Sequence, residues 1–277
     1  QGKYPSRVYA ERGADNFMLA LDPPKPRQCP VKPRDVHEDQ RNAFRECFPG
    51  TAKAKDVAEV AYQACKAAAI LSLRAQEFDL ALLAEQAALR FCQKLMGYSL
   101  TDFPLLEGAI RAGYAGLVYQ VLGRHFVTDP TVIPLARAAM GKLVARTSTL
   151  IDAYHEGDED ALKGTEDLAL PQGIKPVMRR LAEDVGGDMS SEQRAILVAG
   201  SALGTVGNVQ AAVCIAIKWF FEHPHEFGKA RKLALCNPSD KPVPVLGEWK
   251  DLIQAALRED PPVPLLPRLE VDQNGKR

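Results

Sequence analysis

The chain has 277 residues, 46% of them hydrophobic, enough to bury a sizeable core as one large domain or two closely packed ones. Its 35 basic and 35 acidic residues cancel, so nothing in the bulk charge points to nucleic acid or an anionic membrane as a partner. The cysteines at 29, 47, 65, 92, 214 and 236 include no CxxC pair, which argues against a zinc or disulfide framework and for a reduced, cytoplasmic setting.

Residues 1–34 read as an irregular segment, with Pro23, Pro24, Pro26, Pro30 and Pro33 crowded together. No charged-then-apolar signal sequence is expected there. A helical pattern begins at Asp35 and closes at Pro49-Gly50. Within it His37 and Arg41 stand one turn apart, where both can grip one anion, although such a pair on an exposed helix is usually just solvated. Further helices are expected over 55–74, 78–95 (ended by Gly97), 104–122, 131–154 and 174–185, with a polar stretch over 155–166.

The longest element is expected over 190–222. Ser190 and Ser191 can each cap it, with Glu192 and Gln193 following, and from Ala195 to Ile217 it carries no charge. A helix apolar on nearly every face belongs inside a protein, so it reads as a core helix and not a membrane span, although its length permits spanning. Its middle holds Gly200, Gly204 and Gly207 with Thr205 and Asn208. Each Gly costs about 0.8–1 kcal/mol against Ala in a helix interior, so close approach by another helix or by a flat ligand must compensate. Beyond it come a helix over 226–235, a Pro-rich linker over 237–246, a helix over 248–258, and a tail that reads as extended chain entering a strand. His223 and His225 straddle Pro224, where capping of the last carbonyls is a better use for them than metal binding. The expected fold is mainly α with little β, a single helical domain over 35–277.

No P-loop, strand-linked GxGxxG, GxSxG or HExxH is present, and the five histidines lack metal-ligand spacing. The order of elements, however, resembles that of the haem-thiolate monooxygenases, the cytochrome P-450 family. Residues 35–48 resemble the family's C helix, in which the His and Arg of an H-x-x-x-R pattern contact haem propionates; here they are His37 and Arg41. Gln76-Glu77-Phe78-Asp79-Leu80, the helix after it and Leu95-Met96-Gly97 resemble the approach to and course of the E helix. Residues 189–224 resemble the I helix over the distal haem face, and residues 255–268 the K helix and the strand that follows. The resemblance spans about residues 35–272 and implies a P-450-like helical fold that is truncated at both ends.

Haem is a flat apolar macrocycle with two anionic propionates, so it needs small residues where a helix crosses it and cations at its edge. The resemblance assigns Gly204 and Gly207 to the first task and His37, Arg41 and Arg268 to the second. It implies a haem-dependent oxidoreductase acting on a hydrophobic substrate, such as a lipid or hydroperoxide, with a redox or enzyme partner.

Three departures accompany it. Ala255 replaces the Glu of the K-helix E-x-x-R pattern, leaving Arg258 to find another acid if it is buried. Asn208 stands where the family usually has the Thr that helps protonate dioxygen, with Gly207 in the preceding acid position; an amide hydrogen-bonds an oxygen but relays protons poorly. That substitution resembles branches that rearrange fatty-acid hydroperoxides. An alternative register puts Ala199-Gly200 at the family's small pair and turns Thr205 to the haem. The third departure concerns the iron ligand: no cysteine stands in the F-x-x-G-x-x-x-C-x-G context, and Cys29 is the one loop residue that merits consideration as a substitute. The metal ligand is thus unassigned, and a haem-free scaffold that supports a partner enzyme is the second expectation.

Overall fold

The computed structural model describes residues 43, 46, 47, 54–74, 79–121, 129–165, 170–171, 174–185, 189–235 and 247–260. These residues are mostly helical and none of them lies in a strand, as the mainly α expectation requires; the strand anticipated in the tail falls outside the described residues. Helix α1 (Ala54–Arg74) packs beside α2 (Leu80–Met96), and α3 (Phe103–Val121) beside α4 (Val132–Glu156). A short α5 (Val177–Arg180) widens into one π turn (Leu181–Val185), and the long α6 (Ser191–Glu222) then crosses α2, α3 and α4. The last two helices, α7 (Pro224–Leu235) and α8 (Glu248–Glu259), pack on each other and on α6.

Local chemistry explains most of these limits. Asp79 caps α2 by accepting from the Leu82 N–H at 3.0 Å. Gly97 ends it in the left-handed region (φ 104°), where a side chain would be strained. A Cβ there would also stand 2.8 Å from Pro176 Cβ, so this glycine additionally lets the segment before α5 approach. Gly157 ends α4 in the same way (φ 74°), two residues beyond the expected limit. The helix anticipated over 174–185 is the one that differs in kind: regular α geometry starts at Val177 and gives way to the π turn at Leu181.

Between α2 and α3 the turn is tied to α4 by buried polar groups. Thr147 Oγ1 donates to the Leu143 carbonyl at 2.7 Å, so the Tyr98 hydroxyl, 2.6 Å away, is the donor to Thr147. Burial pushes the Tyr98 phenol above its ordinary range. Arg146 Nε and Nη2 donate to the two Asp102 oxygens at 2.8 and 3.3 Å, and Ser99 supplies its Oγ–H and N–H at 2.7 and 3.2 Å. Burial works against the charge on Asp102, but the hydrogen bonds from Arg146 and Ser99 outweigh it and hold the carboxyl below its usual value. A depressed carboxyl adds stability above the unfolded-state value of about 4, and that contribution is lost as pH falls through the lower folded value. Asp102→Asn should therefore be less stable than the native chain at neutral pH, with the gap in urea midpoints closing on acidification below about pH 4. A gap that stayed constant across that range would show that the Asp102 charge is not what stabilises this turn.

The capping of α6 is reciprocal: Ser190 Oγ accepts from the Gln193 N–H at 3.2 Å, and Gln193 Oε1 accepts from the Ser190 N–H at 2.9 Å. Ser191 Oγ donates to Asp152 Oδ1, fastening the start of α6 to α4. At 32 residues the helix is about 48 Å long. Its N-terminal half enters the main apolar core through Ala195, Leu197, Val198, Ala199, Ala202, Leu203 and Val206. The C-terminal half contributes Ala216, Trp219 and Phe220 to a separate small cluster with Ala230 and Ala256. Burial of the whole helix was the expectation; instead no residue from 208 to 215 is fully buried, and Asn208 and Val209 are exposed. The helix is also the one described segment long and apolar enough to cross a membrane.

Candidate functional site

The middle of α6 is buried on one side and open on the other. Leu203, Val206 and Gly207 face the bundle, whereas Gly204 and Thr205 are half-buried and Asn208 is exposed. Gly204 and Asn208 are one turn apart and so share a face, with Thr205 at its edge. Thus three of the expected site residues lie together on the open side. Ala199 and Gly200, the small pair of the alternative register, are both inside the main core.

Gly207 has a different neighbour from the others. A Cβ built on it would fall on the Tyr114 ring of α3, 2.9 Å from Cδ2 and 3.1 Å from Cζ. The reverse relation holds one turn away: a Cβ on Gly113 of α3 would meet Met140 Sδ at 2.8 Å and Leu203 Cδ1 at 3.4 Å. Tyr114 of α3 thus sits over Gly207 of α6, and Leu203 of α6 sits over Gly113 of α3. Helix packing therefore accounts for Gly207, the first of the two reasons the sequence offers for glycine in this helix.

Beside this interlock lies a cleft of about 590 Å³ between α3 and α6, with Ile110, Tyr114, Val118 and Val206 among its walls. Arg111 is on its rim, held by Glu85 (Nε to Oε1 2.7 Å, Nη2 to Oε2 3.1 Å) and by Glu107 at 3.0 Å. Two carboxylates already engage this guanidinium, so it is not an available anion receptor. Neither Tyr114 nor Arg111 drew notice in the sequence, because nothing in the local pattern of α3 marks the side that faces α6.

His37, Arg41 and Arg268, expected at the haem edge, lie outside the described residues, as do Cys29 and Cys236. The described thiols offer little to iron, because the thiolate is the ligand and burial disfavours it. Cys92 is enclosed, with its thiol pushed up to about 12, and burial also raises Cys65 and Cys214, the latter with Asp79 adding to the rise. Cys47 is buried in the main core. Among the described residues no three His, Cys, Asp or Glu side chains converge as a metal site.

Two expectations near the C-terminal end are resolved. Arg258 is exposed and forms no ion pair among the described residues, so the buried-arginine problem posed by Ala255 does not arise: α8 turns that side chain to solvent. His223 Nδ1 lies 2.9 Å from the Trp219 carbonyl, as a capping residue should, and its ring stacks on Trp219 at 4.3 Å. His225 instead is exposed beside Glu226. Compared with protein-family models, curated proteins and solved structures, the chain matches none of them.

Proposed function

We propose that the chain is an atypical haem-dependent oxidoreductase of the P-450 type that acts on a hydrophobic substrate. The observation that supports this reading most is the asymmetry of α6: a long helix anchored in the core on one side presents Gly204, Thr205 and Asn208 together on its open side. Small and hydroxyl-bearing residues on an uncovered helix face fit the approach of a flat apolar group, so this half of the site is compatible with haem. Burial disfavours the thiolate form of Cys65, Cys92 and Cys214, which makes them poor candidates for the iron ligand. His37, Arg41 and Arg268 are the residues assigned to the propionates. Bound haem would supply the redox chemistry at its iron. The chain's own part is to orient a substrate oxygen through the Asn208 amide or the Thr205 hydroxyl. An amide at position 208 favours peroxide-type substrates over proton-assisted dioxygen cleavage.

A second reading has its own support. The interlock at Gly207 needs no ligand, and burial disfavours the thiolate at Cys65, Cys92 and Cys214, both of which fit a haem-free scaffold serving a partner enzyme. One experiment separates the two. The purified protein, incubated with hemin and freed of unbound hemin by gel filtration, should carry a shifted, sharpened Soret band that His37→Ala together with Arg41→Ala weakens. No Soret absorption travelling with the protein after that separation would overturn the haem reading and direct attention to a protein partner.

A further inference from the structure

The second half of α6, with α7 and α8, encloses a groove of about 590 Å³ that the haem reading does not use. Its floor is formed by Val209, Val213 and Phe220 of α6, at helical spacing along roughly 16 Å. Phe227 of α7 and Trp249 of α8 stand on its two sides, and Arg231 of α7 is its one charged lining residue. Phe227 is itself 43% exposed, so the groove is open to solvent on that side. An apolar trough of this size is an interaction site by default, and the question is what fills it.

The charge on its lining answers that. Arg231 is exposed and makes no ion pair among the described residues, so its planar guanidinium is available for a bidentate contact with a carboxylate. The buried indole Nε1 of Trp249 has no acceptor among the described residues. Trp219, in the same apolar cluster, contrasts with it: its Nε1 donates to Glu259 at 2.6 Å. The groove is therefore a carbon-lined channel, walled by three helices, with a single guanidinium on its lining. The apolar face of a partner helix would offer that guanidinium no counter-charge, whereas an alkyl chain ending in a carboxylate matches both the channel and its one cation. We infer that the groove binds a long-chain carboxylate, with the alkyl chain along α6 and the carboxylate at Arg231. This site is separate from the Gly204–Asn208 face and does not depend on haem.

Both tryptophans of the chain lie at this end of the structure, so intrinsic fluorescence reports on the groove without a label. Titration of the full chain with dodecanoate, below its micellar range, should give a saturable change in emission. The exposed substitution Arg231→Glu should weaken that binding by about tenfold while leaving dodecanol binding unchanged, since only the charge-assisted contact is lost. Dodecylammonium should bind the native chain worse than dodecanoate. The inference is overturned if no saturable change occurs, or if all three amphiphiles bind alike to both proteins, the behaviour of a greasy patch without head-group recognition. An emission change that follows protein concentration alone would equally overturn it, in favour of a second copy seated in the groove. Because hemin is absent from this titration, its result stands apart from the Soret measurement.

Discussion

Leu203→Ala should lower the unfolding free energy by about 2–5 kcal/mol, read from denaturant midpoints at unchanged slope. Leu203 has no exposed surface and lies where α6 meets α3 and α4, against the space left by Gly113 and beside Met140. Truncation removes buried methyl groups and leaves a void that rigid helix backbones on three sides cannot close. Met140, a flexible side chain already pressed towards Gly113, is the neighbour best able to move in, which places the cost below the top of that range. A loss under about 1 kcal/mol would mean that α6 is not the element on which the main core is built.

Gly207→Ala is expected to destabilise the chain by about 1–3 kcal/mol, although Ala is the better helix former. Two effects compete. Propensity favours Ala by about 0.8–1 kcal/mol, whereas the new methyl would occupy the position of the Tyr114 ring. Tyr114 is 43% exposed and can swing towards solvent, but in doing so it gives up its contact with α6 and widens the cleft. The clash wins while Tyr114 is present. In a Tyr114→Ala background the same substitution should become stabilising, because propensity alone remains. Equal effects of Gly207→Ala in the two backgrounds would show that the glycine serves something other than the interlock, and the open face with Gly204 would become its reason.

Much of the helical order was legible because its punctuation is local. Asp79, Gly97 and the Ser190–Gln193 pair carry cap chemistry that acts within a few residues, and the helix limits fall within two residues of expectation at each of them. The end of α4 was placed early because the polar run after Tyr154 hides the left-handed Gly157, which allows two more residues of helix. The π turn at Leu181 leaves no mark in residue type, since its cause is the packing of α5 against α4. The candidate site was legible only in part. Small residues in α6 announce a close approach but not by what; Tyr114, ninety-three positions earlier, supplies the answer at Gly207 and not at Gly204. Likewise the burial supposed for Arg258 came from a resemblance in spacing, and α8 presents it to water because that helix covers α6 with Leu252, Ile253 and Ala256 instead.

The division of α6 between two apolar clusters has an energetic consequence. Its first half is locked among many large side chains, its second among few, and no fully buried residue links them from 208 to 215. Such a helix does not have one stability along its length. The end that carries α7 and α8 can detach and reclose at a small opening free energy while the amides of the first half stay protected, so the molecule behaves as two unfolding units sharing a single rod.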